Sequence, residues 1–286
     1  MLGGLNSIVG HNIAKSLAHY GLSVSVTGRT AMNKYNLNAK EINFFIGDLN
    51  DEAFKNKILK DQEIIINCIA AYKLGLNQKH LRESNFGVIK NLLKSLRSTK
   101  VFINLSTINV YGRTANGILA RDTPRKPEDD YGKYKNELEK YISENYWSFS
   151  SISLHLPAVL SIPSNEHLIQ RFVNKLIKNE PLQLFTPNQL FNNVVSVDDL
   201  VNFIIQLINN DRHIIDSFPI ASSEPITLIS IVEQIKKALD SRSRINIVKK
   251  GNTSIIIDDL YARHQYFYNS RSTQSNIEEF LQTYAK

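Results

Sequence analysis

The chain of 286 residues has a single cysteine, Cys68. No intramolecular disulfide can therefore form, and neither a CxxC nor an HExxH spacing offers a metal site. A reducing compartment, the cytoplasm, is the expected location, with no metal. Long apolar runs are missing too. The longest candidates, Ile64–Ala71 and Phe203–Ile208, fall far short of the ~20 residues that cross a bilayer, so no membrane span is expected. The opening MLGGLNSIVG has no basic segment ahead of an apolar one and does not read as a signal peptide. Acid is the scarcer charge, 27 Asp and Glu against 34 Lys and Arg, for a net charge of +7. That balance suits an anionic ligand, but the bases are scattered and form no block, which speaks against nucleic acid as a partner. With only 12 Gly and 8 Pro, and with 42% hydrophobic and 21% charged residues, the composition is that of a folded globular protein.

What is present is an alternation of short β-branched runs with amphipathic helical stretches. Strands are expected at Leu22–Thr27, Ile42–Ile46, Glu63–Ala70, Val101–Leu105 and Ser151–Leu156, with helices over Asn12–Tyr20, Asp51–Leu59, Gln78–Leu96 and Tyr131–Tyr146. Such alternation implies right-handed βαβ crossovers and an α/β, Rossmann-type, doubly wound parallel sheet covered on both faces. From Pro157 the pattern becomes smaller and mixed, which predicts two regions, 1–156 and 157–286. Two glycines at positions 3 and 4 leave no room for a strand ahead of them, so the first strand of the sheet is expected to be missing or truncated.

Three groups of residues carry chemistry. In Gly4-Leu-Asn-Ser7-Ile8-Val9-Gly10, glycines followed by a helix let the backbone turn tightly and approach a pyrophosphate at the helix N-terminus, with Ser7 standing where a middle glycine is usual. At Thr27-Gly28-Arg29 the strand ends on a base and lacks the acid that binds ribose hydroxyls, a pattern that favours NADP over NAD. Tyr131 and Lys135 are four residues apart, hence on one helix face, where an ammonium can stabilise a phenolate. With 12 Tyr and 22 Lys, about one such pair is expected by chance, so spacing alone proves nothing. Position adds weight: the pair follows a strand, the hydroxyl-bearing Ser106-Thr107 turn and a Pro-rich loop. Cys68, inside an apolar strand, reads as packing, and Asp198 and Asp199 as helix caps rather than metal ligands.

In order along the chain, GLNSIVG, FFIGDLND, INCIAAY, ESNFGVIKNLLKSL, FINLSTINVYG, DTPRKPEDDYGKYKNELE, SLHLPAVLSIP and NNVVSVDDLVNFI resemble the motifs of the extended short-chain dehydrogenase/reductases. This family comprises NAD(P)-dependent epimerases, dehydratases and reductases of sugars. The resemblance implies that Tyr131 transfers the proton, Thr107 orients the reacting oxygen and Lys135 hydrogen-bonds the nicotinamide ribose. It further implies cofactor contacts from Gly4, Ser7, Ile8, Val9, Gly10, Arg29, Asp48, Leu49, Ala70, Tyr131, Lys135 and Pro157. Asn85 would be a structural residue of the central helix, and a homodimer would form through the helices bearing Asn85 and Tyr131.

The chain also departs from the family. Ala158 stands where sugar-nucleotide members have an asparagine, and no base lies near Asn192 to hold a diphosphate. Ile108 and Asn109 replace the Asp-Glu pair of the dehydratase branch, so 4,6-dehydration is not expected. The expected activity is hydride transfer between NADP(H), or NAD, and a carbonyl or secondary alcohol of a sugar-like substrate. A reductase is favoured, with a nucleotide-sugar epimerase as the alternative and a non-catalytic NADP-binding protein as a further one.

Overall fold

The computed structural model describes residues 1–30, 42–71, 77–114, 117–162, 167–248 and 255–284. Its central strands are buried along their whole length. All seven residues of Val101–Thr107 and all seven of Ser150–Leu156 are buried, and the two pair in parallel from Val101↔Ser150 to Thr107↔Leu156. Covered on both faces, these strands bury apolar residues such as Phe102, Ile103, Ile152 and Leu154 together with the polar Asn104, Ser106, Ser153 and His155. Ile64–Asn67 pairs in parallel on the other side of Val101–Thr107, and Ile215–Pro219 lies beside Ser150–Leu156. Register is fixed by a buried polar row: Asn67 Nδ2 donates to Asn104 Oδ1 at 2.9 Å and Asn104 Nδ2 to Ser153 Oγ at 3.0 Å. A slip of one residue would bury these amides unpaired, at a cost of about 1–3 kcal/mol for each group.

Val24–Gly28 and Ile42–Ile46 form a second parallel pair. Met1 and Leu2 join the two sheets. Thr27 N donates to Met1 O at 3.0 Å, while Leu2 N donates to Ile66 O at 2.8 Å and Leu2 O accepts from Cys68 N at 3.0 Å. The expectation of a missing first strand is thus corrected in part: its place is held by one parallel bridge, Leu2↔Asn67. Leu2, only 2% exposed, packs with Leu49, Ile65, Leu92 and Phe102 in the apolar cluster under the sheet.

Helices stand where the periodicity puts them, with shifted ends. Ile8–His19 starts four residues before the expected Asn12 because Ser7 caps it. The stretch expected as a single helix over Gln78–Leu96 is Gln78–Arg82, a wide π-turn over Glu83–Gly87, and Val88–Leu93. Asn85 explains the irregularity: its Nδ2 donates to Ala71 O and Leu81 O and its Oδ1 accepts from Ala71 N, tying the turn to the chain after Ile64–Asn67.

The chain divides into two compact units, Met1–Arg113 with Asp122–Leu156 and Val201–Phe218, and Thr114–Arg121 with Pro157–Leu200 and Pro219–Lys286. A single boundary between 156 and 157 is expected from the sequence, whereas in the structure 201–218 packs with the first unit, where Ile215–Pro219 extends the sheet. The second unit has its own apolar cluster, built on Val173, Leu184, Ile231, Val232 and Ile277. Asp199 corrects another expectation. Ser196 Oγ accepts from Asp199 N as the cap, and Asp199 instead takes the backbone amide and guanidinium of Arg271. Among the described residues, no helix is long and apolar enough to cross a membrane.

Candidate active site

The carboxyl ends of the parallel strands gather the first unit's candidate residues, as open α/β sheets generally do. After Leu2 the chain turns through Gly3, held at φ +69 with its amide donating to Thr27 Oγ1 at 3.0 Å. It then enters Ile8–His19 beneath Ser7, whose Oγ accepts from Gly10 N at 3.1 Å. A Cβ on Gly10 would lie 2.8 Å from Gly4 Cα and 3.1 Å from Cys68 Cβ, so only glycine permits this approach. Gly4, Ser7 and Gly10 therefore form one tight turn at the start of a helix whose first-turn amides, Ile8 and Val9 among them, have no intrahelical acceptor. Such a cradle fits a dinucleotide pyrophosphate.

Tyr131 and Lys135 lie on Asp130–Ser143. That helix is capped by Asp129, whose Oδ1 accepts from Gly132 N at 2.6 Å and whose Oδ2 accepts from Asn109 Nδ2 at 2.7 Å. Asn109 N in turn donates to Thr107 Oγ1 at 3.2 Å. A Cβ on Gly132 would sit 2.6 Å from Asn109 O, so the glycine lets the helix start lie against the turn after Thr107. Thr107 is thus tied through Asn109 and Asp129 to the first turn of the helix that carries Tyr131.

Lys135 is fully buried, and its Nζ donates to Ile69 O at 2.7 Å and Leu105 O at 3.0 Å. It lies 5.8 Å from the centre of the Tyr131 ring. Burial pulls its ammonium down to about 8, with Glu139 and Cys68 acting in the opposite sense. The expected pair is therefore together, and its lysine is poised to lose its proton in the mildly alkaline range. Burial pushes the Cys68 thiol up to about 12, which leaves it neutral and inert beneath the glycine turn.

Most of the remaining expected residues of the first unit follow the carboxyl ends of its strands. Arg29 is exposed at the end of Val24–Gly28, and Asp48 is exposed beyond Ile42–Ile46, its Oδ1 accepting from Asn50 N at 2.9 Å. Leu49 turns inward to the apolar cluster. Ala70 is exposed next to Ile69, whose carbonyl holds Lys135. Pro157 is buried and opens a segment of the second unit. In that unit the Asn192 amide is fully engaged with backbone, donating to Ile257 O and Ser222 O and accepting from Ile257 N.

Sequence reasoning missed a buried polar network behind Lys135. Glu139 takes the Ser106 hydroxyl on one oxygen, and on the other Arg125 at 2.8 Å and His155 Nε2 at 2.7 Å. His155 Nδ1 shares a hydrogen bond of 2.8 Å with Tyr111 OH. Burial opposes the charge on Glu139, but His155, Arg125 and Ser106 outweigh it and hold the carboxyl below the usual carboxylate range. Two signals pointed here: a glutamate one helical turn after Lys135, and a histidine in the SISLHL strand, where alternation puts it on one face with Ser151 and Ser153.

Comparison with known proteins gives three findings. A family model described as the NAD dependent epimerase/dehydratase family matches residues 1–218. UDP-glucose 4-epimerase of Vibrio cholerae is 26% identical over 254 residues, 84% of this chain and 75% of that protein. Among solved structures, UDP-glucuronic acid 4-epimerase from Bacillus cereus in complex with NAD superposes with TM-score 0.83 at 18% identity, covering 100% of this chain and 99% of that one. UDP-glucose 4-epimerase from Thermotoga maritima with UDP-glucose gives TM-score 0.82 at 16% identity, with 99% and 97% covered. At such identities the structural likeness shows the fold.

Proposed function

From the membership of this chain in the NAD-dependent epimerase/dehydratase family, we propose that it is a nucleotide-sugar epimerase that binds NAD and inverts one carbinol carbon of a UDP-sugar. The observation that carries this reading is the Tyr131–Lys135 pair, with Lys135 buried between the Ile69 and Leu105 carbonyls at the strand ends. The named relatives are epimerases, and one is a complex with NAD. Both facts favour epimerisation with NAD over the NADP-linked reduction that Arg29 suggested.

In this reading the Gly4–Gly10 turn holds the pyrophosphate and Lys135 the nicotinamide ribose. Bound dinucleotide supplies reversible hydride chemistry at the sugar carbon. Tyr131 takes the hydroxyl proton as the carbonyl forms and returns it to the same oxygen after the sugar has turned its other face to the cofactor site, and the nearby ammonium lowers the cost of its phenolate. Thr107 orients the reacting oxygen. No net redox change results, so a small leak is the most that absorbance at the reduced-nicotinamide wavelength would show.

The test is interconversion of UDP-glucose and UDP-galactose, and of the corresponding UDP-glucuronic and galacturonic acids, with NAD added. Turnover without net reduction supports the reading, and its loss by about 10²–10⁴-fold in Tyr131→Phe with NAD binding intact supports the role of the tyrosine. Net consumption of NADPH with a keto-sugar would replace it with the reductase.

A further inference from the structure

We propose that Glu139 is a positioning residue for the Tyr131–Lys135 pair, clamping the strand end that holds the lysine and keeping a negative charge one helical turn from its ammonium. The inference rests on the proton-transfer role proposed above for that pair. Glu139 is only 3% exposed and is bonded to three segments outside its own helix. It sits on the helix of Tyr131 and Lys135, and it holds Ser106, the residue between Leu105, whose carbonyl takes Lys135, and Thr107. It also binds His155 on the neighbouring strand and Arg125 in the loop before the helix. Arg125 reaches on to Ser217 Oγ in Ile215–Pro219. Every oxygen of Glu139 is thus fixed from outside the helix, so its charge cannot swing away from the lysine.

Among the described residues, the following ionisable groups face this cluster. Lys135 has Glu139, Cys68 and the Tyr131 ring around it, Glu139 has His155 and Arg125, and His155 has Tyr111. Cys68 stays neutral, so Glu139 supplies the negative charge beside a buried ammonium. Removing that charge makes the ammonium harder to keep. Removing Arg125, which partly neutralises Glu139, makes it easier. A residue that only filled space would give no such opposition of sign.

The test follows the Lys135 titration directly in protein labelled with 13C at lysine Cε, with the resonance assigned by its loss in Lys135→Met. Glu139→Gln is expected to lower the titration midpoint by about one pH unit, and Arg125→Gln to raise it by a smaller amount. In the epimerase assay the alkaline limb of kcat moves with the midpoint while KM holds. Midpoints that stay put, or that move in the same direction in both variants, overturn the inference. Should Glu139→Gln fail to fold, Arg125→Gln decides alone, since that side chain is partly exposed and its loss leaves Glu139 still held by His155 and Ser106. Failure of the epimerase reading shows up separately, as turnover that survives Tyr131→Phe, and leaves the lysine titration unaffected.

Discussion

On one side of Ile64–Asn67 the sheet of the first unit is continuous: Val101–Thr107 and Ser150–Leu156 pair over seven residues, laced by the Asn67–Asn104–Ser153 row. On the other side the join to Val24–Gly28 is a single bridge through Met1 and Leu2. The first side carries Thr107, Lys135 and Glu139, and the second carries the glycine turn. The groups proposed to handle the proton therefore stand on the more extensively paired side of the sheet, where a misplacement of 1 Å would be costly. A pyrophosphate is held by backbone amides over several residues, and a turn hung from a short bridge can still serve it.

The largest break of this comparison is Lys135→Met on the continuous side. It is expected to cut turnover by about 10²–10⁴-fold. Its effect on stability depends on pH. In the folded protein burial lowers the lysine to about 8 from 10.5, so between those values the unfolded chain binds more protons and wild-type stability rises with pH. Cys68, raised to about 12 from 9.0, contributes a fall in stability above pH 9. Urea melts of the two proteins between pH 8 and 9 should therefore show an upward slope in the wild type that is missing in the variant. Equal slopes would mean that the ammonium is not buried at a cost.

Leu2→Ala acts on the bridged side and should cost about 2–4 kcal/mol, as truncation of a core leucine does. Amide exchange makes the contrast sharper. The amides of Thr27 and Cys68, which donate to Met1 O and Leu2 O, should lose protection in the variant more than those of Ile103 and Leu105. A uniform loss would show that the two sides open as one unit. Gly10→Ala is next in size, about 1–3 kcal/mol, because the new methyl would press on Gly4 Cα and the backbone must shift. NAD affinity should fall with it, and calorimetric titration would measure the loss.

How far the sequence disclosed all this differs between the same two sides. The strands of the continuous side were legible from short runs rich in apolar and β-branched residues, Val101–Leu105 above all, and Tyr131 with Lys135 because helical spacing is local. Glu139 escaped notice because a glutamate four residues after a lysine most often forms a solvated ion pair; only His155, distant in sequence and inside a strand, shows that it is buried. The bridge at Leu2 was illegible since two residues make no pattern. The inclusion of 201–218 in the first unit was hidden because a change of periodicity at Pro157 says nothing about where the chain returns. Arg29 follows a motif whose discriminating residues act in space, which one sequence does not display.

The smallest predicted effect tests the turn itself. Ser7 occupies a position where a glycine is usual, and its hydroxyl accepts from Gly10 N, one of the first-turn amides of the helix. Ser7→Ala removes a cap worth about 1 kcal/mol and should lower the melting temperature by a few degrees. The same change releases the Gly10 amide toward the pyrophosphate, so NAD affinity should hold or rise slightly even as the helix loosens. Ser7→Gly separates the two effects, since glycine at an N-cap costs only a few tenths of a kcal/mol relative to serine. Tighter NAD binding in Ser7→Gly than in wild type would mean that the cap competes with the cofactor for that amide. Weaker binding in both variants would mean that the hydroxyl itself belongs to the phosphate cradle.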